Sequence, residues 1–159
     1  MMDEIGATGI KSMRRGKHWP RWIQAERKVQ RILAELPMEH FIVANDIKFR
    51  YGNIDHLVLR DDGTIFVIET KSRRGRITWD GKQILFDGQP SARNHLCQMN
   101  RTIRWLRDFT RGTWRVNPWF VAILVFPEGF VPSRRPVKRV HLMDATRILE
   151  LLTGYPRQG

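Results

Sequence analysis

The sequence predicts an α/β domain in which a mixed β-sheet carries helices on its faces. Three observations lead there. Short segments rich in β-branched and apolar residues crowd the stretch from His40 to Phe86, two stretches with helical spacing flank them, and Trp119-Phe120-Val121-Ala122-Ile123-Leu124-Val125-Phe126 has the length and composition of a buried strand. The resulting order is helix, strands, helix, strand, strand, helix, which a sheet covered by helices satisfies.

Residues 1–18 are basic, contain glycine and lack periodicity, so they are expected to form a flexible arm. Residues 19–153 form a single domain, and 154–159 a tail that should fray. Within the domain, Trp22, Ala25, Val29, Ile32, Leu33 and Leu36 follow helical spacing from Arg21 to Leu36, and Pro37 ends the run. Glu26 falls inside this stripe. Two readings of it stay open: pairing at the stripe's edge with an arginine such as Arg27 or Arg76, or a role beside the carboxylates described below.

His40 to Phe49 reads as a strand interrupted near Asn45-Asp46, and Tyr51-Gly52-Asn53 turns the chain into the next strand, Ile54 to Leu59. Asp61-Asp62-Gly63 joins it to Ile65–Lys71 as a hairpin, and Gly63 suits the left-handed position that closes a three-residue loop. Arg74-Gly75-Arg76 bends the chain before an outer hairpin, Ile77-Thr78-Trp79 and Gln83-Ile84-Leu85-Phe86, turned at Asp80-Gly81. Trp79 and Phe86 are expected to pack in the core in preference to stacking on bases. Asn94 is a suitable N-cap for a helix to about Phe109, with Leu96, Met99, Ile103 and Leu106 inward and Arg101, Arg104, Arg107 and Arg111 on the other side. After the buried strand, a Pro-rich basic loop leads to a strand at Val137–Leu142, and Asp144 caps a final helix through Leu152.

The hairpin carries the chemistry. A three-residue loop sets Leu59 opposite Ile65, Leu57 opposite Val67 and Asp55 opposite Glu69, and alternation puts Lys71 on the face of Glu69. A two-residue loop would separate the carboxylates onto opposite faces. Opposed Cβ atoms stand about 4.5–5.5 Å apart, where like charges destabilise a sheet unless something offsets them. A divalent cation would do so, since Mg²⁺ takes oxygen ligands from one or two carboxylates and completes its shell with water. The alternative is an exposed ladder of charges, but both strands are apolar on both faces and leave no solvent face to explain them. His56 points to the opposite face, which suits a packing or DNA-proximal role.

Lys and Arg total 28 against 16 Asp and Glu, a net charge of +12 that argues for a polyanionic partner, with nucleic acid the first candidate. No basic amphipathic anchor stands out, and no apolar run approaches the roughly 20 residues that span a bilayer. The basic N-terminus lacks the apolar stretch of a secretory signal, so a cytoplasmic location is expected. Cys97 is the only cysteine, which excludes an internal disulfide and a cysteine-based zinc cage.

Ala25-Glu26-Arg27, Ile54-Asp55-His56-Leu57-Val58, Val67-Ile68-Glu69-Thr70-Lys71, Gly75 and Asn94-His95-Leu96-Cys97-Gln98 together resemble the nuclease-related domain (NERD) family of the PD-(D/E)xK nucleases, over about Glu26 to Phe126. The family has proline where this chain has His95. The resemblance implies a restriction-endonuclease-like mixed β-sheet flanked by helices and Mg²⁺-dependent hydrolysis of DNA phosphodiesters, with Mn²⁺ as a substitute. Asp55 and Glu69 would hold the ion with the carbonyl of Thr70, Glu26 would complete the site, Lys71 would orient the attacking water, and Gln98 would be a polar helper. Arg73, Arg74 and Arg76 directly follow Lys71 and would grip flanking phosphates, the alternative for each being a solvated turn. A concerted double-strand cut would need two such sites, which allows for a homodimer. The competing function is a noncatalytic nucleic-acid-binding module on the same scaffold, suggested by the charge and by His95.

Overall fold

The structure, a computed structural model, describes residues 19–159. The basic arm of residues 1–18 lies outside that range.

Helix α1 (Arg21–Leu33) leads into a meander of three antiparallel strands, β1 (Phe41–Phe49), β2 (Gly52–Arg60) and β3 (Ile65–Thr70). The chain then leaves the sheet. It builds β4 (Gly75–Trp79), β5 (Ile84–Phe86) and the two-residue β6 (Gln89–Pro90), followed by helix α2 (His95–Phe109). It returns as β7 (Phe120–Val125), parallel to β3. A two-residue β8 (Gly129–Phe130) completes the small sheet, β9 (Val140–Met143) lies parallel to β7, and α3 (Ile148–Gly154) closes the chain. The main sheet has the order β1-β2-β3-β7-β9, and the small one β6-β5-β4-β8. This is the expected α/β architecture, with a mixed main sheet.

Two apolar layers sandwich the main sheet. On one face Val29 and Leu33 of α1, with Ile148 and Leu152 of α3, pack on Val58, Phe66, Ile68, Val121, Ile123 and Val125. On the other, Leu96, Met99, Ile103 and Leu106 of α2 and the small sheet's Ile77, Ile84 and Phe86 cover Val67, Ala122 and Leu124. Every residue of β7 is buried, as its unbroken apolar run requires.

The hairpin register is the expected one: Leu59 pairs with Ile65 and Leu57 with Val67. Gly63, at φ +86°, donates its N–H to the Arg60 carbonyl at 2.9 Å, and Arg60 N–H bonds the Thr64 carbonyl at 3.0 Å. Next to this loop the tail is tied down, contrary to the expectation that it would fray. The buried Arg60 donates to Asp62 at 2.9 and 2.7 Å and to the carbonyls of Leu152, Tyr155 and Pro156 at 2.7–3.1 Å. Arg157 bonds Asp61 at 2.6 Å, and Gln158 N–H bonds Asp62 at 2.9 Å.

Other departures have local causes. Helix α1 stops at Leu33, and Trp22 is 56% exposed although it lies only about 20° around the axis from buried Val29. Among the described residues, the first turn of the helix, not its face, therefore lacks a packing partner. The last strand starts at Val140, not Val137, because Lys138 and Arg139 both take positive φ and make a tight turn that bonds Val137 and Val140 to each other. A wide turn at Thr110–Trp114 prolongs α2 and ends at left-handed Arg115.

Along β1 and β2 the side-chain alternation changes sides. Val43 and Ile47 are four residues apart and should share a face, yet they pack in different layers, as do Val58 and Ile54. Asp46, between the first pair, has φ +51°, a left-handed residue that turns the strand about itself. The count between flanking pairs sets Asp46 across from Asp55. Both acids therefore stand at the changeover, where neither apolar layer closes over them.

Candidate active site

Asp55 and Glu69 lie one step beyond the last ladder pair of the hairpin, His56 with Ile68. There β2 no longer supplies a backbone acceptor, and the Thr70 N–H donates instead to Asp55 Oδ2 at 2.8 Å. The N–H and C=O of one strand residue point to the same edge, so the Thr70 carbonyl also faces the Asp55 side. On its other edge β3 is held by β7, with Lys71 N–H bonded to the Val125 carbonyl at 2.8 Å. Lys71 Nζ stands 3.9 Å from Glu69 Oε2, and both side chains are about one-fifth exposed.

The acids strain one another's ionisation. Burial, then the charge of Asp55, pushes the Glu69 carboxyl up to about 8, with the lysine pulling the other way. Burial also raises Asp55, although the Thr70 N–H and Lys71 favour its anion. The two carboxyls lie close enough that the charge of Asp55 adds to burial in disfavouring the Glu69 anion. Glu26, from α1, joins the group. Burial and the charges of Asp55 and Asp46 lift it to about 7. It makes no ion pair with Arg27 or Arg76 among the described residues; Arg27 lies over the Trp19 ring at 4.0 Å instead.

Asp46 was not foreseen as part of this group. Its carboxylate accepts from Asn53 at 2.7 Å. The available signal was its position, opposite Asp55 in an otherwise apolar strand. His56 lies on the far face and is buried, with Nδ1 2.7 Å from Asn45 Oδ1, and burial alone lowers it to about 4. Its role is packing.

Glu69 and Lys71 form one side of a cleft of about 190 Å³ whose other walls include Gln98, Arg101, His95 and Tyr51. Gln98 is exposed on the first turn of α2, which Asn94 caps by accepting the Cys97 N–H at 2.9 Å. The cap holds despite His95 at the first helical position. His95 is buried, its Nδ1 has no hydrogen-bond partner among the described residues, and burial with the nearby charge of Lys71 lowers it to about 4. Through His95 the cleft adjoins a hollow of about 360 Å³ lined by Lys82, Arg93 and Lys138. Arg73, Arg74 and Arg76 are exposed and do not line the cleft. Arg73 packs over Phe86 at 4.2 Å and Arg76 over Phe130 at 5.7 Å, outside the cleft.

The donor set consists of hard oxygens: two opposed carboxyls, a neighbouring backbone carbonyl and Glu26. Among the described residues no three His, Cys, Asp or Glu side chains form a ready metal cage. An opposed pair of carboxylates fits an ion such as Mg²⁺, which keeps several waters. Bringing positive charge between Asp55 and Glu69 would offset the burial and repulsion that disfavour the Glu69 anion.

A mixed sheet flanked by helices, with two acids and a lysine gathered on adjacent strands, defines a nuclease-like α/β domain. The family model of the nuclease-related domain, NERD, matches residues 21–127, and the chain belongs to that family. A search of curated proteins finds no match. No helix among the described residues is long and apolar enough to cross a membrane.

Proposed function

We propose that this protein hydrolyses DNA phosphodiester bonds with the help of Mg²⁺. The observation that carries the reading is the placement of Asp55 and Glu69 opposite each other on adjacent strands, one step beyond the His56–Ile68 pair, with Lys71 3.9 Å from Glu69 at the side of an open cleft.

Asp55 and Glu69 would hold the ion, with the Thr70 carbonyl and Glu26 completing the protein's share of the shell. When bound, the ion supplies Lewis-acid stabilisation of phosphoryl charge and acidifies a water molecule. Lys71 donates a hydrogen bond that orients the attacking water and offsets negative charge as the phosphorus becomes pentavalent. Water oxygen bonds to phosphorus, the P–O bond to the leaving strand breaks, and a proton passes to that leaving oxygen. Gln98, across the cleft, offers an amide to a non-bridging oxygen. Arg73, Arg74 and Arg76, and Lys82, Arg93 and Lys138 of the adjoining hollow, would hold flanking phosphates.

Binding alone gives no reason for this arrangement. Two carboxyls aimed at a phosphate weaken a pure binder, whereas an ion between them converts repulsion into attraction. The test is incubation of purified protein with circular and linear DNA across Mg²⁺ and Mn²⁺ concentrations, beside Asp55→Asn and Lys71→Ala. Cleavage that needs the ion and disappears in both variants is expected. Cleavage unchanged in both would exclude the assignment.

A further inference from the structure

We propose that Tyr51 is a stacking platform for an unpaired nucleobase, so that the strand held in the Glu69–Lys71 cleft is single-stranded beside the bond to be cut. The inference rests on the phosphodiesterase reading above and names its substrate more closely.

Tyr51 occupies the tight β1–β2 turn and lines the same cleft as Glu69, Lys71 and Gln98. Tyr51 is 47% exposed. A lone exposed aromatic needs no explanation, but this one is braced and flanked. Phe49 meets it edge-on with ring centres 6.0 Å apart, and Phe49 in turn rests on Trp105 of α2 at 5.1 Å. The guanidinium groups of Arg50 and Arg101 stand 5.6 and 5.0 Å from the Tyr51 ring centre. Both lie over the ring within cation–π range, so a stacking base would take the place of a guanidinium on the ring face.

A braced aromatic ring attended by two exposed cations, beside a cleft that would hold a phosphate, matches the requirements of a nucleotide strand. The base stacks on the ring while the arginines swing to phosphates on either side. A base inside a duplex offers only its edges to a protein, because its faces are covered by its neighbours. Tyr51 can therefore engage a base only where it is unpaired, frayed or flipped out.

The experiment compares wild type, Tyr51→Ala and Tyr51→Trp. Fluorescence anisotropy in EDTA measures binding of a labelled single strand and of its duplex at one salt concentration, and a parallel assay with Mg²⁺ measures cutting of both. The single strand should bind more tightly than the duplex. Tyr51→Ala should lose roughly 5- to 150-fold in single-strand affinity, the effect of one lost base–aromatic stack, with Tyr51→Trp restoring it and duplex binding held within about twofold. Equal single-strand affinity in Tyr51→Ala and wild type, with cutting intact, would overturn the stacking role alone. Tighter binding of the duplex by wild type would do the same. Absence of cutting by wild type on either substrate would overturn the phosphodiesterase reading and this inference with it.

Discussion

Asp55 accepts the backbone N–H of Thr70 at 2.8 Å, the position a β-ladder carbonyl would otherwise fill. The same carboxylate thus closes the sheet and faces Glu69. The two duties separate by substitution. Asp55→Asn keeps an oxygen for Thr70 and removes the like charge, so its thermal midpoint should match or exceed that of wild type. Asp55→Ala strands the Thr70 N–H and should cost about 1–3 kcal/mol in chemical denaturation. Both should lower DNA cleavage by roughly 100-fold or more. An Asp55→Asn protein that folds well and still cuts at the wild-type rate would remove Asp55 from the chemistry.

The raised carboxyls make stability depend on pH in a definite sense. Glu69 at about 8 and Glu26 at about 7 bind more protons in the folded than in the unfolded chain, so folding strength is lost as pH rises through those values. The buried histidines His56 and His95, lowered to about 4, act oppositely, but only between about pH 4 and 6.5. Between pH 6.5 and 8.5 the metal-free thermal midpoint should therefore fall, and Glu69→Gln should flatten the decline. Because the ion competes with a proton, millimolar Mg²⁺ should raise the midpoint more at pH 8 than at pH 6. A midpoint that climbs with pH across this window in the metal-free protein would contradict the assignment.

Much of this site is readable from residue order because one local device sets it. Asp61-Asp62-Gly63 fixes a three-residue loop, the loop fixes the register, and the register sets Asp55 against Glu69. The α2 start is equally local, since Asn94 caps it within three residues. What escaped depends on backbone twist or distant contact. A break or turn near Asn45-Asp46 was legible, but not that left-handed Asp46 leaves β1 continuous while reversing its faces and adding a further acid to the group. Lys138-Arg139 makes a tight turn with neither Gly nor Asn to announce it. The tail is captured by Arg60, nearly a hundred residues earlier, a pairing no local pattern can signal.

That capture has a measurable value. Arg60 is 1% exposed, and the Asp62 carboxylate beside it is held well below its ordinary range, first by the Arg60 hydrogen bond. Arg60→Ala leaves the buried Asp62 carboxylate without its ion pair and three carbonyls without the guanidinium, so urea denaturation should show a loss of about 3–5 kcal/mol. A loss under 1 kcal/mol would mean that water replaces the guanidinium.

The exposed arginines should act through salt. If Arg73, Arg74 and Arg76 each neutralise a duplex phosphate, replacing all three by Ala should reduce the slope of log K against log salt by about 2.7, at 0.9 per contact. An unchanged slope would leave them as packing for Phe86 and Phe130.

His95 stands where the resemblance read from the sequence implies proline, and the structure makes that exchange cheap. It is the first residue of α2, where the N–H has no helical partner to lose and proline's fixed φ suits the helix. Asn94, at φ −88° and ψ 86°, is already out of the helical region that a following proline forbids. Proline would discard the edge contact of His95 with Phe86 at 6.1 Å, but also a buried Nδ1 that has no hydrogen-bond partner among the described residues. These effects oppose each other, so His95→Pro should shift stability by less than about 1 kcal/mol. Gln98 should keep its place because the Asn94 cap survives, leaving cleavage within a few-fold of wild type. Loss of cleavage in a stably folded His95→Pro protein would show instead that the imidazole itself, at the junction of the two hollows, takes part in holding the strand.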